Sequence, residues 1–107
     1  MSVHTLAFNV NKQTLEKREG FEQLVAGTSG YLRAAFSFSS DWVIYRDRTA
    51  VFTGPGSLKR RVDLKNNTCM VPDDIAACMS FKVHVEGKSP VGAVMCSGRV
   101  TVIQRRH

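Results

Sequence analysis

Any chemistry in this 107-residue chain must come from three histidines, three cysteines and nine carboxylates. The most suggestive pair is His84 and Glu86 in "FKVHVEG". Two positions apart on an extended segment, they share one face. Such a pair can serve as a general base with its orienting carboxylate. No third group joins it locally, so the pair reads as a surface contact. A cysteine nucleophile needs surroundings that stabilise a thiolate, and the neighbours of Cys69, Cys78 and Cys96 supply none. No C-x-x-C occurs, and Cys69 and Cys78 are too far apart for zinc-ligand spacing. Three cysteines and no export signal predict reduced, buried structural thiols in a cytosolic setting. There is no G-x-x-x-x-G-K-[ST] phosphate loop and no H-E-x-x-H. The sequence predicts a non-enzymatic protein with no metal and no cofactor.

The elements that would carry these residues have a period of two. Leu6, Phe8 and Val10 fall on one face, as do Leu32, Ala34, Phe36 and Phe38. Ala50 and Phe52 alternate with Val51 and Thr53, and Phe81, Val83 and Val85 with Lys82, His84 and Glu86. Leu58, Arg60, Val62 and Leu64 share a face, which places Arg60 near a strand end or snorkelling outward. Val94, Cys96, Gly98, Val100 and Val102 form one continuous row. Alternation of this kind marks half-buried strands. Gly27-Thr28-Ser29-Gly30, Gly54-Pro55-Gly56, Asn66-Asn67, Gly87-Lys88-Ser89-Pro90 and Gly98 punctuate the chain. Turn signals about every 8–12 residues indicate a β-sandwich or barrel. Residues 12–17 read as a second strand, followed by a loop and a short extended piece ending at Val25. Residues 43–48 read as a connection. Pro72 with Asp73 and Asp74 opens one helical turn over residues 73–77.

The only tryptophan, Trp42, follows the turn-favouring Ser39-Ser40-Asp41. A ring there either stacks on a ligand or folds over one end of a sandwich and closes it. Packing is the preferred reading, with Trp42 as a structural anchor that needs one partner for its indole N–H. The expected core comprises Leu6, Phe8, Leu32, Ala34, Phe36, Phe38, Trp42, Phe52, Val62, Leu64, Val71, Phe81, Val83, Val85, Val94, Val100 and Val102.

With 43 % apolar and 22 % charged residues, the composition is that of one ordinary globular domain spanning residues 1–107. No apolar run approaches the ~20 residues that span a bilayer, and the N-terminus predicts no signal peptide. The formal charge is +6. Its concentrations are Arg46 with Arg48, the run Lys59, Arg60 and Arg61, and the terminal Arg105 and Arg106. An excess of this sign suits nucleic acid, an anionic membrane face or an acidic protein partner. A single-stranded nucleic-acid binder would stack bases on Tyr31 and Tyr45 beside Arg33 and Arg46. Most phenylalanines fall on core faces and no RNP string is present, so nucleic acid is the weaker alternative. An adaptor or inhibitor of a host protein is another.

Three segments carry a resemblance. Phe36, Phe38, Trp42, Ala50 and Phe52 fit an F-x-F-s-x-x-W knot followed by an A-x-F strand. Val62, Leu64, Cys69, Val71 and Pro72 fit a second segment, and Phe81, Val83, Val85 and Gly87 a third. Together they resemble small β-sandwich modules of bacteriophage structural proteins. These are the N-terminal domains of tail, baseplate or head-fibre proteins of phages that infect Gram-positive hosts. The resemblance implies an all-β, immunoglobulin-like antiparallel sandwich of about seven to eight strands with one short helical turn. It also implies a virion protein, made in the host cytoplasm and docked on the capsid or the tail. Its partners would be other virion proteins, in a symmetric array or homo-oligomer, with no membrane contact. This chain has "VIYRDR" after Trp42 where the family tends to acidic or glycine residues, and it lacks a fibre, which suggests a self-contained accessory subunit. Arg46, Arg48, Lys59, Arg60 and Arg61 are the expected contacts to an acidic face, and Arg105 and Arg106 a tail contact. Strand edges offer additional backbone pairing.

Overall fold

The computed structural model describes residues 4–21 and 32–104. The alternating segments become strands β1 (His4–Asn11), β2 (Thr14–Glu19), β3 (Leu32–Phe38), β4 (Asp47–Thr53), β5 (Lys59–Asp63), β6 (Thr68–Met70), β7 (Ser80–Lys88), β8 (Val94–Cys96) and β9 (Val100–Ile103). A 3-10 turn spans Ser40–Trp42, and a one-turn helix, α1, spans Asp73–Ala76. One sheet has the order β2-β1-β3-β6, and the other β5-β4-β7 with β8 and β9 both along the far side of β7. The two pack as a β-sandwich, with Leu6, Phe8, Ala34 and Phe36 from one sheet and Ala50, Phe52, Val83 and Val85 from the other in a single core cluster.

Several expectations are corrected. Among the described residues there are nine strands, against the roughly seven or eight expected, and one pair departs from the antiparallel pattern, since β1 and β3 run parallel with Phe8 opposite Phe36. The second strand begins two residues later than expected, because Lys12 and Gln13 form the turn between paired Asn11 and Thr14. Lys12 there has φ of 55°. The extended piece expected to end at Val25 lies outside the described residues. Strand β4 starts at Asp47, inside the stretch expected to be a connection. Asn66 and Asn67, with φ of 53° and 62°, make a two-residue turn of the kind asparagine tolerates. That turn carries the chain from the edge of one sheet to the edge of the other.

Val94 is not a core residue, with 63 % of its surface exposed. The reason is register. Cys96 sits opposite Glu86, but Val100 sits opposite Val83. The strand pair therefore holds one more residue on the β8–β9 side than on β7, a β-bulge. One extra residue reverses the facing of everything beyond it. Val94 and Cys96 thus lie with Glu86 on the outer face, and Val102 lies opposite Phe81 in the core. Phe38, Val62, Leu64 and Val100 flank the core and are partly buried.

Both ends of the sandwich are closed. Trp42 is fully buried and its indole N–H donates to the Lys12 carbonyl at 2.7 Å. Its ring packs on Phe38 at 5.0 Å and edge-on to Tyr45 at 5.9 Å. At the other end Ile75 and Ala76 of α1 are buried. Gln104 holds that helix in place, donating from Nε2 to the Ala76 and Cys78 carbonyls at 2.9 and 2.8 Å. Among the described residues, no helix is long and apolar enough to cross a membrane.

Candidate docking surface

The basic residues divide between internal and external roles. Arg48 points inward, contrary to its expected docking role. Its guanidinium donates to the Tyr45 and Trp42 carbonyls, both at 2.7 Å, and to Asn67 Oδ1 at 2.8 Å. It also lies 4.2 Å from the Phe38 ring centre. Arg48 therefore fastens the Trp42 turn, and burial pulls its pKa down from the usual arginine value. Arg46, two residues earlier, is exposed. Arg105 and Arg106 lie outside the described residues.

Lys59, Arg60 and Arg61 all lie on β5, an edge strand paired only with β4 among the described residues. Lys59 is exposed. Arg60 sits opposite Phe52, on the core-facing side, yet it is half-exposed. At the sheet edge its long stem turns out of the sandwich, as its place among apolar neighbours led us to expect, and its head pairs with Asp74 at 2.6 Å, a partner the sequence did not indicate. Arg61 faces outward and reaches diagonally across β4 to Glu86 of β7.

That reach organises the outer face of the second sheet. Glu86 Oε1 accepts from Arg61, and Oε2 contacts His84 Nε2 at 3.0 Å. The hydrogen bond from Arg61, then that from His84, holds the Glu86 carboxyl below the usual carboxylate range. The same contact raises the Arg61 pKa. Val51 lies between Arg61 and His84 in the cross-strand row and is fully buried, although it is on the outer face. The Arg61–Glu86–His84 chain of contacts joins the two strands on either side of it. His84 is only 7 % exposed, so the His84–Glu86 pair is not the surface contact its alternation suggested. With both oxygens of Glu86 engaged, the arrangement is a strap across three strands. Beside it lies a groove of about 340 Å³ lined by Asp47, Thr49, Asp63, Lys88 and Val94. Among the described residues, no group of three or more His, Cys, Asp or Glu side chains is placed to hold a metal ion.

Among the described residues, the surface gives little to base stacking. Tyr31 lies outside the described residues. Tyr45 is partly buried against Trp42, so its ring is taken up by packing. Arg33 donates to Thr5 Oγ1 from Nε and Nη2 at 3.3 and 3.2 Å.

The cysteines are not uniformly buried. Cys69 is, Cys78 is intermediate and Cys96 is exposed, the last because the bulge turns β8 outward. Burial pushes the Cys69 thiol up to about 12. Burial and then Asp74 raise that of Cys78. A thiol-reactive disulfide reagent at neutral pH should therefore label Cys96 first and leave Cys69 unmodified until the protein unfolds. Fast labelling of Cys69 in the native protein would contradict the register assigned to β3 and β6.

Sequence reasoning singled out the basic run but missed its partners. Asp74 was legible only as a helix-entry residue, and Glu86 only as the neighbour of His84. Ser97 and Gln104, both buried and hydrogen-bonded, carried no signal beyond their polarity. In comparisons with known proteins, no family model, no curated protein and no solved structure matches this chain.

Proposed function

We propose that this protein is a non-enzymatic docking module of a bacteriophage particle, held on the capsid or the tail through its basic edge. The reading combines the resemblance of the Phe36–Trp42–Phe52, Val62–Pro72 and Phe81–Gly87 segments to phage structural modules with the immunoglobulin-like form which that resemblance implies. The observation that carries it is the placing of Lys59, Arg60 and Arg61 consecutively on a sheet edge. Each is at least half-exposed or fully at the surface. Exposed pairs of this kind add about 0–1 kcal/mol each and act chiefly on encounter rate and partner choice. The partner is an acidic surface of another virion protein, repeated symmetrically around the particle.

The test is co-sedimentation of the purified protein with phage particles or isolated capsomers across a salt series. Binding should weaken steeply as salt shortens the reach of charge, from about 10 Å at 0.1 M to 3 Å at 1 M. Reversing Lys59, Arg60 and Arg61 together to Glu should weaken it at least about tenfold. Binding that ignores salt, or no binding to any particle, removes this reading.

A further inference from the structure

We propose that the free edge of β5 takes up an extended acidic strand of the partner protein, which continues the second sheet by one strand. The proposal rests on the docking reading above and specifies its geometry and partner chemistry.

Backbone direction comes first. Leu64 N–H bonds to the Arg48 carbonyl, and Gly54 N–H to the Leu58 carbonyl. Those residues lie directly opposite one another in the β4–β5 register. In an antiparallel ladder every second residue turns its N–H and C=O toward the partner. Residues 60, 62 and 64 therefore bond to β4, and Lys59, Arg61 and Asp63 aim their main-chain groups away from it. The Lys59 carbonyl accepts from the Arg60 side chain. The N–H and C=O of Arg61 and Asp63 remain for a further strand, and no other strand pairs with this edge among the described residues.

A place for side chains comes second. A groove of about 360 Å³, mostly apolar, runs between the β5 edge and the β6 edge, with Val62, Cys69 and Met70 among its walls. Val62 is partly buried and Met70 is 42 % exposed. An inward-facing apolar residue of an added strand would cover both.

Charge selects the occupant. Lys59 and Lys65 are exposed along or beside the edge, where Arg60 and Arg61 also stand, each already held by one carboxylate, with Asp63 as the edge's own acidic residue. Two copies of β5 paired antiparallel about Val62 would set Lys59 opposite Lys65, a like-charge contact that is destabilising, although Arg61 would then meet Asp63. A strand that alternates acidic and apolar residues meets the charges and fills the groove. The other edges are less suited. β2 mixes Glu16, Lys17, Arg18 and Glu19. β6 is three residues long and turns Thr68 back onto Lys65, and β8 and β9 are broken by the bulge.

Two substitutions at Asp63 separate strand addition from simple charge attraction. Both Asp63→Ala and Asp63→Pro remove a carboxylate, so attraction of an acidic peptide should stay equal or increase in each. Only proline deletes the outward N–H, at an edge position where a folded strand tolerates it. The probe is a synthetic eight-residue peptide of alternating Val and Glu, titrated by calorimetry, with alternating Val and Lys as the control. We expect Asp63→Ala to bind as well as the parent or better, and Asp63→Pro at least about tenfold more weakly. Saturating peptide should slow hydrogen exchange at the Arg61 and Asp63 amides of the unaltered protein, which decides the matter even if the proline variant does not fold. Equal binding by the two variants, unprotected amides, equal binding of the lysine peptide, or no binding of the glutamate peptide each overturns the proposal. Particle binding that is lost on charge reversal but is the same for both Asp63 variants leaves docking standing and removes strand addition. Peptide addition at β5 without any particle binding does the reverse.

Discussion

Replacing Trp42 by alanine is expected to cost about 3–5 kcal/mol, the range for emptying a buried aromatic site. For a domain near this size that is a fall of more than about 12 °C in Tm. The ring is fully buried, contacts Phe38 and Tyr45, and closes the end of the sandwich where β7 leaves the core. It also continues a line of rings that runs through Phe8, Phe36 and Phe38 and on to Tyr45. Truncation leaves the Lys12 carbonyl without its indole donor, a separate loss of about 1 kcal/mol. Trp42→Phe, which loses the hydrogen bond and keeps much of the packing, should fall between parent and alanine. Circular dichroism under denaturant is the measurement, because the variant has no tryptophan left to report. In the parent, indole emission should be blue-shifted and resist quenching by iodide. Emission typical of water, or an alanine variant within about 1 kcal/mol of the parent, would remove the anchor role.

The same site makes a stricter demand. A Cβ placed on Gly87 would stand 2.7 Å from Trp42 Cζ3 and 2.8 Å from Tyr45 Cβ. Glycine is required there by the closeness of the ring, since its φ is not positive. Gly87→Ala should cost about 1–3 kcal/mol by overpacking. In the Trp42→Ala background the ring clash is gone and the Tyr45 Cβ contact at 2.8 Å remains, so the same change should cost less than in the parent. A double-mutant cycle is therefore expected to show a coupling of about 0.5–3 kcal/mol. Additive costs would mean that the two residues do not touch.

This pairing shows what the sequence could convey. Trp42 as an end-closing ring was legible, because a lone indole after a turn-forming Ser39-Ser40-Asp41 must find burial. Gly87 read only as the start of a turn, since close approach between distant segments leaves no local trace. Period two located β1, β3, β4 and β7, each of which turns one face to the core. It did not tell which strands pair, and the parallel β1–β3 contact has no signature in side-chain spacing. Val51 and His84 read as outer-face residues, which they are. Their burial, and the reach of Arg61 from another strand to Glu86 beside them, have no trace in local spacing. The basic run was equally visible, but its division was not. Arg48 is drawn inward by two carbonyls of its own turn, and Arg60 is taken by Asp74, on a different element.

Ser97 is where the sequence pattern and the fold part, and Ser97→Ala is expected to cost about 1–3 kcal/mol, the penalty for a buried polar group left unpaired. The bulge between β8 and β9 moves the main chain away from part of β7. The Ser97 N–H still reaches the Val85 carbonyl at 2.8 Å. The Val85 N–H has no main-chain partner there and donates instead to Ser97 Oγ at 2.8 Å, while that hydroxyl donates to the Gly98 carbonyl at 2.9 Å. Val85 is fully buried and Ser97 is 8 % exposed, so water is a poor substitute. Ser97→Thr retains the hydroxyl and should lose less. Equilibrium unfolding in urea with an unchanged m-value, together with faster hydrogen exchange at the Val85 amide, would locate the loss at this bond. An alanine variant within about 0.3 kcal/mol of the parent, with Val85 exchange unchanged, would refute it. What the hydroxyl secures is the facing of the last strand. Without the extra residue accommodated at this point, Val102 would turn to solvent, and Thr101 and Ile103 would be brought inward against a core shaped for valine. The one extra residue, bridged to β7 by Ser97, thus explains why a row that alternates without a break from Val94 to Val102 lies on two faces of the same sheet.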